Sequence, residues 1–201
     1  PIFHRAAHAQ TALQPTASYW QYSASGRLQN VVTADINHDG ILEFLMADED
    51  GKVDLISASG IRQWRYLAQD PILNLNTVNL DGESQPEMEV VLAMRNRLVL
   101  LTADGVVIRQ IRLNESNPAS SINDFEATER QDSLNDGEAL IPTAVYGYDS
   151  DHDGNEEILV VLNTGVLLLY NQIGQQVWHY QDPNSNSNAD PHLALADFDQ
   201  D

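Results

Sequence analysis

The 201-residue chain carries 30 acidic against 10 basic side chains, a formal charge of -20, and is 42% hydrophobic. That composition suits a packed core, and its field repels nucleic acid and anionic lipid headgroups while concentrating cations. There is no cysteine, which excludes disulfides, thiolate metal sites and a cysteine nucleophile; no apolar run approaches the roughly 20 residues that cross a bilayer, so direct membrane insertion is not expected.

The chain begins at Pro1, and residues 1–19 read as a tail or linker in which AHAQ is only a faint cleavage signal, with no apolar stretch before it. From Trp20 onward the sequence repeats. The stretches VTADINHDGILEFLMA around Asp35, NTVNLDGESQPEMEVVLA around Asn79 and VYGYDSDHDGNEEILVVL around Asp149 align, and LALADFDQD around Asp197 is a truncated fourth copy. Their first positions lie 44, 70 and 48 residues apart, and the long interval holds a polar insertion at about 114–138, so the underlying period is in the mid-forties. A second marker keeps step: WQY at Trp20, WRY at Trp64 and WHY at Trp178, with a degenerate IRL at Ile111.

Within the first unit LQNVVTAD leads into an acidic loop, LEFLMAD follows, DEDG turns, KVDLISAS is the next strand, Gly60 marks a turn and IRQWRYLA closes. The third unit repeats this with EILVVL, NTG, VLLLYNQ, Gly174 and QQVWHY. These are short apolar strands punctuated by turn residues, with no helical period long enough to compete. Four strands per mid-forties repeat predict an all-β chain, a β-propeller of four-stranded blades in which each blade covers its neighbour's apolar face. Three complete blades fill about 29–181, Trp20 reads as the last strand of an earlier blade and Asp197 as the start of a later one. Residues 20–201 are therefore expected to be an incomplete ring, a portion of a propeller of six to eight blades.

The acidic loops carry the chemistry. The pattern D-x-[DN]-x-D-G-x-x-E occurs as Asp35, Asn37, Asp39, Gly40, Glu43 and as Asp149, Asp151, Asp153, Gly154, Glu157. Alternate oxygen-bearing side chains on a tightly wound loop converge on one centre. The glycine permits the turn that brings round the carbonyl of Ile41, or of Asn155, as a further ligand. Hard oxygen donors without His, Cys or Met at ligand positions favour Ca²⁺. The closing glutamate falls at the ninth position and strands flank the loop, so this is not an EF-hand. The second loop offers Asn79, Asp81, Glu83 and Glu87, but Ser84 replaces the glycine and Pro86 stiffens it, so weaker binding is expected. The truncated copy offers Asp197, Asp199 and Asp201. His38 and His152, at the fourth positions, are expected to face solvent.

With these loops and strands the chain resembles the FG-GAP and VCBS-like repeat family, whose calcium-loop blades build the integrin α-subunit propeller and many bacterial surface proteins. The resemblance, over about residues 29–201, implies one Ca²⁺ on Asp35, Asn37, Asp39, the Ile41 carbonyl and Glu43, and another on Asp149, Asp151, Asp153, the Asn155 carbonyl and Glu157. No Phe-Gly or Gly-Ala-Pro signature is present, and glutamate stands where integrins tend to have aspartate. The blade ends ISASGIRQW and YNQIGQQVW also look like pyrroloquinoline-quinone-type propeller repeats, which casts Trp64 and Trp178 as packing anchors between blades.

No phosphate loop, G-x-S-x-G elbow or H-E-x-x-H occurs, and Glu126, Glu129 and Asp132 sit in the polar insertion, which reads as a solvated loop. The function expected is a calcium-binding extracytoplasmic module for protein interaction, adhesion or scaffolding, in a larger surface or envelope assembly with a protein partner and without catalytic residues of its own. The alternative is the propeller portion of an extracellular enzyme, quinone-dependent or polysaccharide-degrading, with its catalytic groups elsewhere. Calcium sites of moderate affinity fill at extracellular levels near 10⁻³ M and stay empty in cytosol, which points to an extracellular, cell-surface or periplasmic location.

Overall fold

A computed structural model describes residues 20–82, 87–114 and 139–181. The proposed tail, Glu83 of the second loop, all but Asn114 of the polar insertion and the truncated loop of Asp197, Asp199 and Asp201 lie outside the described residues.

Twelve strands form three antiparallel sheets, each a four-stranded meander. The first holds β1 (Leu28–Ala34), β2 (Glu43–Asp48), β3 (Lys52–Ile56) and β4 (Arg62–Leu67). The second holds β5 (Ile72–Val78), β6 (Glu89–Met94), β7 (Arg97–Leu101) and β8 (Val107–Arg112), and the third β9 (Pro142–Tyr148), β10 (Glu157–Leu162), β11 (Val166–Tyr170) and β12 (Gln176–Gln181). The expected all-β blades are therefore observed, and among the described residues no helix is long and apolar enough to cross a membrane.

Burial follows position in the blade. The second strands β2, β6 and β10 are buried almost throughout, as their continuous apolar sequences require of a strand covered on both faces, whereas β4, β8 and β12 are largely exposed. In β6 the two-residue side-chain period divides the core. Val90, Leu92 and Met94 join Leu45, Ala47, Val53 and Leu55 of the first sheet, while Val91 and Ala93 join Ile158, Val160 and Leu162 of the third. Each such fully buried aliphatic side chain contributes on the order of 1.5–3 kcal/mol, so neighbouring sheets hold one another.

The register fixes which residues correspond. Ala34 opposes Glu43, Val78 opposes Glu89 and Tyr148 opposes Glu157. On the outer pair, Leu55 opposes Trp64, Leu100 opposes Arg109 and Leu169 opposes Trp178, each beside a register shift. Two expectations are corrected. The degenerate tryptophan position of the second unit is Arg109, not Ile111, because the β3–β4 type of bulge recurs one step before each blade's turn. The second acidic loop is two residues longer than the others, so Glu89 rather than Glu87 stands where Glu43 and Glu157 stand.

Tryptophans do lock adjacent units. Trp64 Nε1 donates to the Ala103 carbonyl at 2.6 Å and its ring lies on Gly105, where a Cβ would come within 2.7 Å. Trp20 repeats this on Gly60 and the Ala58 carbonyl, at 3.0 Å, so it stands on the first sheet as an outer-strand tryptophan stands on the next blade. In the second unit Arg109 donates to the Ile173 carbonyl, and its stem covers Gly174 together with the Ile111 side chain. Trp178 is 44% exposed and stacked on Tyr180.

The preceding segment is also tied in by buried charge. Asp54, fully buried on β3, receives two 2.6 Å hydrogen bonds from Arg65 and one of 2.9 Å from the Tyr22 hydroxyl. Burial pushes the Asp54 carboxyl up, but these bonds outweigh it and hold it below the usual carboxylate value; the Tyr22 hydroxyl is pushed up to about 12, first by burial and then by its bond to Asp54. Asp48 behaves alike: burial is opposed by hydrogen bonds from Lys52 and Ser25, which leave its carboxyl lowered. The corresponding pairs are Val99 opposite Gln110 in the second sheet and Leu168 opposite His179 in the third, so among the described blades this cluster occurs in the first.

Candidate metal centre

The acidic loops join the first to the second strand of each sheet and so lie at one end of the blades. In the third, Asp149 Oδ2 accepts from Gly154 N at 3.1 Å, Asp151 Oδ1 from Asp153 N at 3.3 Å, and Asp153 Oδ1 from Asn155 N at 2.8 Å. In the first, Asp35 accepts from Asp39 N and Gly40 N, Asn37 Oδ1 from Asp39 N, and Asp39 Oδ1 from Ile41 N. Each carboxylate thus turns back onto the loop's own amides, curling the chain around a common centre. The turn demands left-handed backbone at two positions: φ is 55° at His38 and 84° at Gly40, 59° at His152 and 91° at Gly154. Both histidines are exposed, as expected.

Asp149, Asp151 and Asp153 each place a carboxylate oxygen so that all three lie within 4.8 Å of one another. Oxygens at about 2.4 Å from one shared Ca²⁺ can be no more than about 4.8 Å apart, so the group has the right size. A second observation supports a cation: Asp149 Oδ1 is buried without a hydrogen-bond partner, and so is Asn79 Oδ1 at the equivalent first position of the second loop. A buried orphan oxygen costs about 1–3 kcal/mol unless something occupies its lone pairs. With all-oxygen donors and several carboxylates, the residues fit a hard divalent cation.

The closing glutamates also brace the loops from beneath. Glu157, 3% exposed, accepts at Oε2 from Ser150 N and Ser150 Oγ, at 2.9 and 2.6 Å, and at Oε1 from Gln172 Nε2 at 2.8 Å. Glu43 Oε2 accepts from Ile36 N and Glu89 Oε2 from Leu80 N. In all three blades the glutamate reaches beneath the loop to its second residue, a brace to which one more methylene than aspartate lends the reach; Glu157 lies outside the group formed by the three aspartates. In the second loop burial raises the Glu89 carboxyl above its ordinary value against the Leu80 hydrogen bond, and Asp81 adds to the rise.

Glu87 is placed across a blade junction. It lines a cleft of about 330 Å³ with Asn37, Asp39, Ile41 and Glu43 of the first loop, Trp64 of the first sheet's outer strand and Asp104 of the second unit's β7–β8 turn. Met88 N donates to the Ile36 carbonyl at 3.0 Å, fastening the second loop to the first. Sequence reasoning missed Glu89, which is visible only through the strand register, and Glu156, which bonds to the second loop; it missed the Asp54–Arg65–Tyr22 cluster because partners 11 and 32 residues apart leave no local pattern.

Meander sheets side by side, Trp and Arg locks between them and a loop site at the same end of each define a β-propeller. Residues 13–136 match the family model of the lambda-carrageenase β-propeller domain, and the chain belongs to that family. No curated protein matches the sequence. Among solved structures it is similar to BBS1N in complex with ARL6DN, at 14% identity and a TM-score of 0.57 over 87% of this chain and 48% of that one. It is also similar to Sqt1 of Saccharomyces cerevisiae (12%, TM-score 0.56, 79% of this chain and 40% of that) and to BamB from Moraxella catarrhalis (14%, TM-score 0.50, 81% and 39%). The chain therefore spans about half or less of the length of these propellers, and the likeness is one of fold.

Proposed function

We propose that this chain is a calcium-binding portion of an extracytoplasmic β-propeller that serves as an interaction and scaffold module. The observation that carries the reading is the Asp149–Asp151–Asp153 group with its buried, unpartnered Asp149 oxygen. Asp149, Asp151 and Asp153 would hold the ion, with Asp35, Asn37 and Asp39 doing the same in the first loop. Bound Ca²⁺ supplies positive charge that offsets loop repulsion and couples loop order to the metal. The D-x-[DN]-x-D-G spacing supports the FG-GAP or VCBS-like relationship, and the filling of moderate-affinity calcium sites at extracellular calcium levels supports an extracellular, cell-surface or periplasmic setting. A protein partner is supported by the BBS1N propeller, described in complex with ARL6DN.

Membership in a family described as a carrageenase propeller favours a second reading, in which this propeller is the non-catalytic part of a polysaccharide-degrading enzyme. The formal charge of -20 opposes direct contact with an anionic polymer, so in that reading the catalytic groups lie outside the described residues. Calorimetric melting in EDTA, in millimolar calcium and in millimolar magnesium tests the first reading. A calcium-specific rise in midpoint supports it, and identical melting in all three would overturn it. Release of reducing ends from carrageenan by the longest natural chain, lost on removing the part outside this propeller, supports the second; no release by that chain counts against it.

A further inference from the structure

The first and third blades match residue for residue from the acidic loop to the outer strand. Phe44 opposes Ile56 as Ile158 opposes Tyr170, and Leu55 opposes Trp64 as Leu169 opposes Trp178. Glu43 therefore stands where Glu157 stands, and Ala58, after β3, stands where Gln172 stands after β11. The two buried carboxylates are satisfied differently. Glu157 has a donor on each oxygen, Ser150 on Oε2 and the Gln172 amide on Oε1. Glu43, 5% exposed, accepts from Ile36 N on Oε2. Ala58 offers no amide to its Oε1, which has no hydrogen-bond partner among the described residues.

Glu43 and Ala58 both line the cleft of about 330 Å³ between the first and second blades, a volume at the lower end of small-molecule sites, about 300–1,000 Å³. Where the third blade places its own N–H donor, the first opens a cleft. The wall decides what kind of donor fits there. Glu87 and Asp104, both exposed, line it from the second unit, and no lysine, arginine or histidine is among the described residues around it. Ile36, Leu55 and Trp64 supply carbon surface. A cation on an apolar stem matches both halves of this wall. Because Ile36 N already holds Oε2, Glu43 has one oxygen to give. A guanidinium fork grips both oxygens of a carboxylate, whereas an ammonium is a point charge that needs only one.

We infer that this cleft binds the side chain of a lysine carried by a protein partner. Its ammonium donates to Glu43 Oε1 in the place that the Gln172 amide takes in the third blade, and its stem lies along Ile36, Leu55 and Trp64. The partner rests on the interaction-module reading above; the cleft does not depend on calcium, because Asp35, Asn37 and Asp39 hold the ion of the first loop while Glu43 braces it from beneath.

NMR of the isotope-labelled whole chain, titrated with Nα-acetyl-lysine methylamide, tests this. The amides of Ile36 and Ala58 and the Trp64 indole N–H should shift together and saturably, and more weakly as salt is raised. The norleucine analogue, which has the stem without the charge, should leave them in place, and the arginine analogue should bind about ten-fold more weakly. Ala58→Gln gives Glu43 the third blade's amide. It should weaken lysine binding about ten- to a hundred-fold, the worth of a hydrogen bond to a charged group, while raising the urea midpoint, which shows that the loss is not one of folding. Equal shifts with norleucine, or lysine binding undiminished in Ala58→Gln, overturn the assignment. Loss of binding in millimolar calcium also overturns it, because Glu43 Oε1 would then belong to the ion. Putrescine binding as tightly as the lysine probe overturns the protein partner in favour of a free diamine. If the lysine probe shifts nothing, this inference falls while melting in calcium still decides the module reading; flat melting beside a saturable lysine response leaves the cleft standing and removes the calcium.

Discussion

Replacing Gly105 by alanine tests whether the tryptophan locks hold the blades. Gly105 has φ of +78°, and its new Cβ would meet the Trp64 ring at 2.7 Å, 2.9 Å and 3.1 Å. The left-handed backbone costs a non-glycine residue roughly 1–2 kcal/mol. Restoring normal contact forces the indole outward by about 1 Å, an overpacking cost of about 1–3 kcal/mol, and stretches the Nε1 bond to the Ala103 carbonyl, worth about 1 kcal/mol. The expected loss is about 3–6 kcal/mol. Gly40→Ala is the matched control, because φ there is +84° and nothing lies within 4 Å of the added Cβ; measured in EDTA, it should cost only the backbone share, about 1–2 kcal/mol. Urea unfolding of the two variants, with Gly105→Ala repeated in a Trp64→Ala background, separates the terms. The excess over Gly40→Ala should vanish once the indole is gone. If Gly105→Ala loses no more than Gly40→Ala while Trp64 is intact, the lock contributes nothing and the reasoning is refuted.

Arg65→Ala leaves Asp54 charged and buried with only the Tyr22 hydroxyl, and should cost about 3 kcal/mol in the same urea assay; Arg65→Lys, which lacks the two-pronged geometry, should recover only part. Transplanting the second blade's pair, as Asp54→Val with Arg65→Gln and Tyr22→Phe, should come within about 1 kcal/mol of wild type. Asp54 and Asp48 have folded-state carboxyls held below the unfolded value of 3.8, so the stability they contribute is present above that pH and is lost as pH falls through it. Urea midpoints followed downward from pH 6 should drop steeply below about pH 4 in wild type and less steeply in the triple variant; an equal drop would sink this account of the cluster. At millimolar calcium a loop with a dissociation constant near 10 µM stabilises the chain by about 2.7 kcal/mol, and calorimetry should find most of that gain absent from Asp153→Ala.

How much of this was legible before folding depends on the range of each signal. The blade strands and the Asp35 and Asp149 loops were, since period-two apolar runs, turn glycines and alternating carboxylates act within ten residues. The second loop misled because Glu87 keeps the expected spacing while Glu89 keeps the expected place; only the pairing of Val78 with Glu89 distinguishes them. Ile111 misled similarly, since the tripeptide IRL resembles WRY by eye, whereas the strand register aligns Arg109, not Ile111, with Trp64 and Trp178. The ninth-position glutamates are legible as oxygen donors by composition, but their hydrogen bonds beneath the loop, such as those of Glu157 to Ser150 and Gln172, are not.

By itself the sequence determined that the chain is all-β, that it repeats in four-strand units and that acidic loops with alternating oxygen side chains join the first strand of each unit to the second, because each of these is written in neighbours along the chain. Only the tertiary structure decided how the units meet: which strand face serves which neighbour, that Trp20, Trp64 and Arg109 seat on glycines of the next unit, that Asp54, paired with Arg65 in its own sheet, also holds Tyr22 of the preceding segment, and that Glu156 joins two loops. Those contacts link residues tens of positions apart, and side-chain packing between sheets rather than local backbone preference selects them.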